Sequence, residues 1–248
     1  QRCLGQACTL VRQVQRLRLI NCQLDRQQAG WLCANTHKAS QPFLFQEDFS
    51  MINELAARAH SAPKTIVLPE STDERVVIAA IRAHTEGVAN VVLIGDVEAI
   101  NVRLNGQALP RGLVVRTPSN DEHQHQLAKA LQAARAKENL TIDQALDRLN
   151  TPLTFAAMLV REGLADGMVC GAITTTADVV RAFIQLIGVA PNASLVSSFF
   201  LMYKEANDIV NTPAQRMVFT DCGLVIDPSA QELANIASAA ATSALQLM

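Results

Sequence analysis

Residues 166–188 read DGMVCGAITTTADVVRAFIQLIG. The first six form a short apolar run that is typical of a buried strand, and the run from Thr175 onward has the composition of a helix. Thr175 is suited to cap that helix, and Asp178, three residues later, completes the spacing of a capping box. The stretch therefore predicts a strand, a turn and a helix, with threonine hydroxyls and backbone N–H groups in the turn.

The same alternation of strand and helix runs through the rest of the chain from Met51 onward. Each predicted strand is a continuous apolar run, which is typical of a parallel sheet covered on both faces. We therefore predict an α/β fold with a doubly wound, mostly parallel sheet. The predicted strands are 64–70, 90–96, 113–116 and 166–171, and the predicted helices are 51–62, 71–87, 121–139, 141–149 and 154–163.

The first 50 residues differ from this pattern, because they are rich in arginine and contain few acidic residues. We interpret 1–50 as an extension of unknown role that is poorly ordered. Residues 51–190 form a first α/β domain, and the turn PNAS at 191–194 marks the crossing into a second, incomplete α/β domain over 191–248. The helix over 71–87 is predicted to begin with Ser71 and Glu74 in capping-box spacing.

Composition narrows the class of protein. Of the 248 residues, 49% are hydrophobic and 18% are charged, which is typical of a globular domain. The formal net charge of −2 provides no general attraction to nucleic acid or to an anionic membrane, and no apolar run approaches the roughly 20 residues of a bilayer span. The six cysteines form no CxxC pair, so neither a metal site nor a disulfide framework is predicted, and a cytoplasmic location fits best.

The turn after the fourth strand is a candidate anion site. Ligands of doubly wound sheets bind at the carboxyl ends of the strands, where helices present N–H groups. Arg181 is a cation close to the start of the predicted helix, where the helix dipole disfavours it. Two interpretations stay open: Arg181 binds a phosphate, or it forms a local ion pair with Asp178.

Two other arginines follow strands in a similar way, and each also has a local alternative. Arg75 lies on the helix after the first strand, where it could simply pair with Asp73 or Glu74. Arg135 lies near the end of a polar helix and could be a solvated surface residue. The chain contains neither a GxxxxGK[ST] phosphate loop nor a GxGxxG dinucleotide fingerprint, so a Rossmann-type oxidoreductase is disfavoured.

These stretches resemble the phosphate acetyl/butyryl transferases, the phosphotransacetylase family. The most specific element is the run D-G-x-x-x-G-A-x-x-[ST]-[ST]-x-D-x-x-R at 166–181, within a match that covers about 51–248. Other matching segments are KTIVLPESTDERV (64–76), NVVLIGD (90–96), SLVSSFFLM (194–202) and MVFTDCGLVIDPSAQELANIASAAATSA (217–244).

The resemblance implies a function: reversible transfer of an acetyl group between coenzyme A and phosphate, without a metal or another cofactor, in a homo-oligomer. By position, Arg181 and Thr176 match a phosphate or coenzyme A site, to which we also assign the neighbouring Thr175. Arg75 matches the arginine after the family's LPE segment. Arg135 matches a coenzyme A-site arginine. The implied partners are acetyl-CoA, coenzyme A and inorganic phosphate.

The resemblance also implies a difference. Family members continue with a serine-rich SxxGSA loop that supplies a serine, an arginine and an aspartate for catalysis, and this sequence ends at Met248 before such a loop. We therefore expect an incomplete phosphate acetyltransferase that is inactive without that segment, with exposed apolar strands over 194–202 and 216–221. The alternative is a non-catalytic or regulatory module that binds coenzyme A or phosphate.

Overall fold

The computed structural model describes residues 50–104, 108–191, 193–204 and 214–248. The predicted extension over 1–50 therefore lies outside the described residues, apart from Ser50, which begins the first helix. Among the described residues, no helix combines the length and the apolar character that a bilayer span requires.

A four-stranded parallel sheet forms the centre of the molecule, as predicted. Its strands are β1 (Thr65–Leu68), β2 (Asn90–Ile94), β3 (Val114–Arg116) and β4 (Gly167–Met168). The spatial order is β3-β2-β1-β4, and every neighbouring pair is parallel. Strand β4 has only two residues and is thus shorter than the predicted run over 166–171.

Six of the first seven helices lie at predicted positions, whereas the helix over 97–103 was not predicted. The seven helices are α1 (Ser50–Ser61), α2 (Glu74–Thr85), α3 (Val97–Arg103), α4 (Gln124–Ala134), α5 (Ile142–Leu149), α6 (Pro152–Arg161) and α7 (Thr176–Ala182). Short 3-10 turns lie at Pro118–Asn120 and Ala136–Glu138, and α7 continues directly into a π-helix at Phe183–Ile187. The predicted charged helix over 121–139 is therefore α4 followed by a 3-10 turn.

The sheet is buried on both faces, which confirms the doubly wound architecture. Successive strand residues point to opposite faces, so Ile66 and Leu68 join one apolar cluster while Val67 joins the other. The first cluster packs the sheet against α2 and α3. The second packs it against α4, α5, α6 and α7. Both faces of β1 and β2 are therefore removed from water, which explains their unbroken apolar sequences.

The start of α2 differs from the predicted capping box. Its N-cap is Asp73, whose carboxylate accepts a hydrogen bond from the backbone N–H of Arg75 at 2.9 Å. Ser71 lies before the helix and is only 4% exposed, and its hydroxyl donates to the carbonyl oxygen of Ile94 at 2.7 Å. A buried hydroxyl requires such a partner, so Ser71 ties the end of β1 to the end of β2 instead of capping α2.

The last part of the chain forms a different, antiparallel sheet. Strands β5 (Phe199–Lys204) and β6 (Gln215–Thr220) pair antiparallel, and helix α8 (Ala230–Leu247) follows them. The sheet is connected to α1 through Arg216, whose guanidinium donates to the Glu54 carboxylate at 2.8 Å. Three of its large apolar side chains are 41–53% exposed, in agreement with the exposed strands that we expected: Met202, Met217 and Phe219.

Gly95, directly after β2, generates the first testable prediction because Ser71 occupies the space beside it. A Cβ atom at Gly95 would lie 2.1 Å from the Ser71 Oγ atom. We expect Gly95→Ala to lower the free energy of unfolding by about 2 kcal/mol, since overpacking forces neighbouring atoms to move. Urea denaturation measures this loss.

The control is the same substitution in a Ser71→Ala background, where the clashing oxygen is absent. There Gly95→Ala should cost about 1 kcal/mol less, so the two substitutions should be coupled in a double-mutant cycle. Additive losses would show that the contact between Ser71 and Gly95 does not limit the size of residue 95.

Candidate functional site at the carboxyl edge of the sheet

The strand order places a crevice between β1 and β4. From β1 the chain proceeds outward through β2 to β3 and then returns to the opposite side of β1 with β4. This reversal is a topological switch point, the place where doubly wound sheets bind ligands beyond the carboxyl ends of their strands. The loops that leave β1 and β4 meet there, and they carry the two segments that the sequence singled out, 69–75 and 171–181.

Glu70 joins these two loops. The residue is 4% exposed, and its carboxylate accepts hydrogen bonds from four successive backbone N–H groups of the second loop. One carboxylate oxygen accepts from Gly171 at 2.8 Å and from Ala172 at 2.6 Å. The other accepts from Ile173 at 3.1 Å and from Thr174 at 2.7 Å. A buried carboxylate needs several donors to compensate for its lost hydration, and these amides supply them.

The expectation that the loop amides are free to bind an anion is therefore wrong for 171–174. The prediction identified the correct concentration of N–H groups, but the protein's own carboxylate already occupies them. Gly171 has φ +104°, a backbone conformation that L side chains rarely adopt, and this turns the chain so that the amides converge. Any anion at this edge must be bound mainly by side chains.

Thr175 caps α7 as predicted. Its hydroxyl oxygen accepts from the backbone N–H of Asp178 at 3.2 Å, and the hydroxyl donates to the Asp178 carboxylate at 2.6 Å. Thr176, the first residue of α7, is exposed beside it. The Thr175 hydroxyl and, secondarily, Arg181 lower the pKa of the Asp178 carboxyl, because both stabilise its charged form.

Arg181 and Arg75 are both connected to this loop, and both form local ion pairs. Arg181 donates to Asp178 at 2.7 Å, and its side chain is 60% exposed. Arg75 pairs with the Asp73 carboxylate, and its guanidinium also approaches the carbonyl oxygen of Ala172 at 3.5 Å. The local alternatives of the sequence analysis are thus present in the structure. They leave both guanidinium groups at the surface beside one loop.

Arg135 is not connected to this loop by any contact among the described residues. It follows α4, whose first residue lies near the carboxyl end of β3, so it lies about 16 Å along the helix from that edge. Its guanidinium pairs with Glu138, which also pairs with Arg148. Arg75, Thr175, Thr176 and Arg181 are therefore associated with the same loop, whereas the predicted ligand role of Arg135 has no support from this arrangement.

A second polar cluster at the same edge was missed by the sequence analysis. Arg116, the last residue of β3, donates to both carboxylate oxygens of Asp121 at 2.6 Å, and its guanidinium lies 5.7 Å from the centre of the Phe155 ring. The backbone N–H of His123 adds a third hydrogen bond to Asp121 at 2.9 Å. The spacing R-x-x-x-x-D is too common to reveal this pair in a sequence.

No group of three potential metal ligands occurs among the described residues.

The Asp121 pair predicts a pH dependence of stability. Burial alone would raise the pKa of Asp121, but the hydrogen bonds from Arg116 and from the His123 N–H outweigh it, so the pKa is lowered. A lowered folded-state pKa stabilises the fold above the unfolded value of about 3.9, and this contribution disappears as the pH falls through the folded value.

We expect Asp121→Asn to lower the free energy of unfolding by about 2 kcal/mol at pH 7, because Arg116 loses a charged partner. The difference from the wild type should shrink as the pH falls below the unfolded value of about 3.9. Urea unfolding at several pH values measures it, with the exposed Asp147→Asn as the matched control. A difference that stays constant with pH would contradict the role assigned to the Asp121 carboxylate.

Comparison with known proteins agrees with this geometry. The phosphate acetyltransferase of Acetivibrio thermocellus is 39% identical over 194 residues, covering 78% of this chain and 58% of the relative. That of Paracoccus denitrificans is 42% identical over 196 residues, covering 77% and 57%. A phosphotransacetylase crystal structure from Streptococcus pyogenes superimposes with a TM-score of 0.67 at 35% identity, covering 76% of this chain and 55% of that one.

The chain thus spans somewhat more than half the length of these relatives. The family described as "Phosphate acetyl/butaryl transferase" matches residues 50–248, which include the whole sheet, the Glu70 carboxylate and both arginines at the switch point. On this match and these identities, the chain belongs to the phosphate acetyl/butaryl transferase family.

Proposed function

We propose that this chain is part of a phosphate acetyltransferase, which converts acetyl-CoA and phosphate into acetyl phosphate and coenzyme A. The observation that carries the proposal is family membership combined with two exposed guanidinium groups at the switch point: Arg75 at the start of α2 and Arg181 on α7. With these substrates the protein would act in acetate metabolism in the cytoplasm, use no metal or further cofactor and, as the resemblance implies, form a homo-oligomer.

The reaction needs fixed positive charge more than it needs special reactive groups. In the direction of acetyl-CoA synthesis, the coenzyme A sulfur attacks the carbonyl carbon of acetyl phosphate, the carbon–oxygen bond to phosphate breaks, and the thiol proton passes to a base. Phosphate leaves with its negative charge, so guanidinium groups beside it stabilise both the substrate and the leaving group. The resemblance implies that an aspartate is the base.

Arg181 is suited to this task because its present partner is a weak competitor. The side chains of Arg181 and Asp178 are 60% and 50% exposed, and exposed ion pairs contribute little to stability. A phosphate dianion can accept paired hydrogen bonds from a guanidinium and carries more charge than one carboxylate. Asp178 therefore holds the Arg181 guanidinium in place without preventing phosphate binding, whereas Asp73, whose side chain is only 10% exposed, holds Arg75 more firmly.

The threonines support the same proposal. Thr176 is exposed at the start of α7, where its hydroxyl can reach a ligand that Arg181 binds. Thr175 is bound to Asp178 on both sides of its hydroxyl, so we propose that it shapes the loop more than it binds phosphate.

Arg181→Ala tests the binding site directly. We expect the dissociation constant for coenzyme A or inorganic phosphate to rise at least about tenfold, since a hydrogen bond to a charged group contributes about 1.5–3 kcal/mol. Isothermal titration calorimetry measures it. The control is Arg82→Ala. Arg82 lies in the last turn of α2 and pairs with the C-cap residue Glu86, so its substitution also removes an arginine from a local ion pair. Unchanged affinity in Arg181→Ala would refute the site.

Acetyl phosphate formation by the 248-residue chain tests the activity separately. Because the chain spans somewhat more than half the length of the relatives that it matches, we expect calorimetry to show coenzyme A binding and a coupled assay to show little turnover. We expect turnover to be restored when the remaining segment of those relatives is supplied. Binding without any rescue would favour the alternative, a coenzyme A or phosphate-binding module. Turnover at the rate of the curated relatives would show that the segment is not required.

A further inference from the structure

Glu70 is a buried charge whose partners among the described residues are all backbone N–H groups. Each of its two oxygens accepts hydrogen bonds from two of the four amides, so the carboxylate fixes both the position and the orientation of the 171–174 segment. The segment continues without a break into the cap of α7 at Thr175. Arg181 lies on that helix, six residues after Thr175.

We propose that Glu70 is a positioning residue of the ligand site: it holds the loop after β4 so that Arg181 and Arg75 face the same bound anion. This inference rests on the proposed function. Glu70 does not contact the ligand in this proposal. It acts through the loop, because the loop contacts Arg75 at Ala172 and leads to Arg181 through the Thr175–Asp178 cap.

Three observations support this role over that of an ordinary buried acid. First, a loop whose amides face inward would need another acceptor if the carboxylate were absent, because unpaired buried N–H groups are costly. Second, Glu70 follows β1 directly, so it is anchored by the central strand of the sheet. Third, Gly171 adopts its φ of +104° at the first of the four amides, where the chain turns towards the carboxylate.

The carboxylate also decides where an anion can bind. With the amides of 171–174 occupied by a negative group, a phosphate is repelled from that side of the loop and attracted to the guanidinium side. The loop therefore presents the arginines and not its backbone to the ligand. This arrangement differs from a phosphate loop, in which the backbone amides themselves hold the phosphate.

Glu70→Gln tests the proposal with almost no change in volume. The glutamine carries an NH2 group in place of one oxygen, so two of the four loop amides lose their acceptor. We expect amide hydrogen exchange at residues 171–174 to accelerate at least about tenfold, while exchange at Val92 in the centre of the sheet stays unchanged. Unchanged protection of the loop amides would overturn the proposal.

Ligand binding then separates positioning from general stability. We expect Glu70→Gln to weaken coenzyme A binding about tenfold in calorimetric titrations, since small displacements of binding groups have effects of this size. Because Glu70 acts through Arg181, adding Arg181→Ala to Glu70→Gln should weaken binding by less than about twofold more. Two independent, additive losses would overturn the proposed route.

The matched control is Ile100→Ala, which removes a fully buried side chain of α3 on the face of the sheet opposite α7. It should lower stability without weakening coenzyme A binding. If Ile100→Ala weakened coenzyme A binding as much as Glu70→Gln does, the effect of Glu70 would be explained by a loss of stability.

Should Glu70→Gln fail to fold, Glu70→Asp keeps the charge but shortens the side chain, and we expect faster amide exchange in the loop and intermediate affinity. Wild-type protein that binds neither coenzyme A nor phosphate would overturn the proposed function and, with it, the role of Glu70 in binding. Loop exchange would still report whether Glu70 holds the loop.

Discussion

The hydrogen bonds of the buried Glu70 carboxylate are the interaction on which the carboxyl edge of the parallel sheet depends. A parallel sheet fixes its strands by their hydrogen-bond ladders, but it leaves the loops at the carboxyl ends without such a ladder. Here one buried side chain supplies an equivalent, since it binds four consecutive amides of the neighbouring loop. The loop after β4 is consequently held in position relative to β1, one of the two strands with neighbours on both sides.

The electrostatics of the site reconcile two interpretations that the sequence left open. The local ion pairs of Arg75 and Arg181 exist, and the sequence spacing was sufficient to predict both. The pair of Arg181 with Asp178 does not compete with a role in anion binding, because both side chains are exposed and such pairs contribute little. The Asp73 side chain is only 10% exposed, so its pair holds Arg75 more firmly. An arginine with a weak carboxylate partner is a preorganised donor that a more highly charged ligand can take over.

Local patterns predicted the main elements well, because strands and helices depend on residues close in sequence. The apolar runs over 64–70 and 90–96 correspond to β1 and β2, and Thr141 and Thr175 cap their helices as typical N-cap residues do. The start of α2 was wrong, because Ser71 is drawn into a tertiary contact with β2 that no local rule contains. The antiparallel pairing of β5 and β6 was also not predicted, since the apolar pattern of a strand does not indicate whether its neighbour runs parallel or antiparallel to it. The hydrogen bonds of Glu70 were not predicted either, because its partners lie 101–104 residues away along the chain.

That separation along the chain has a consequence for how the protein acquires its site. The segment between Glu70 and Gly171 includes β2, β3, β4 and the five helices α2 to α6. Closing a loop of about a hundred residues carries an entropic cost that nearer contacts do not. The carboxylate can meet its amides only after β4 has emerged from the ribosome and docked beside β1. The strands and helices of the parallel sheet can thus assemble first, and the contact between Glu70 and residues 171–174 forms in a late step of folding.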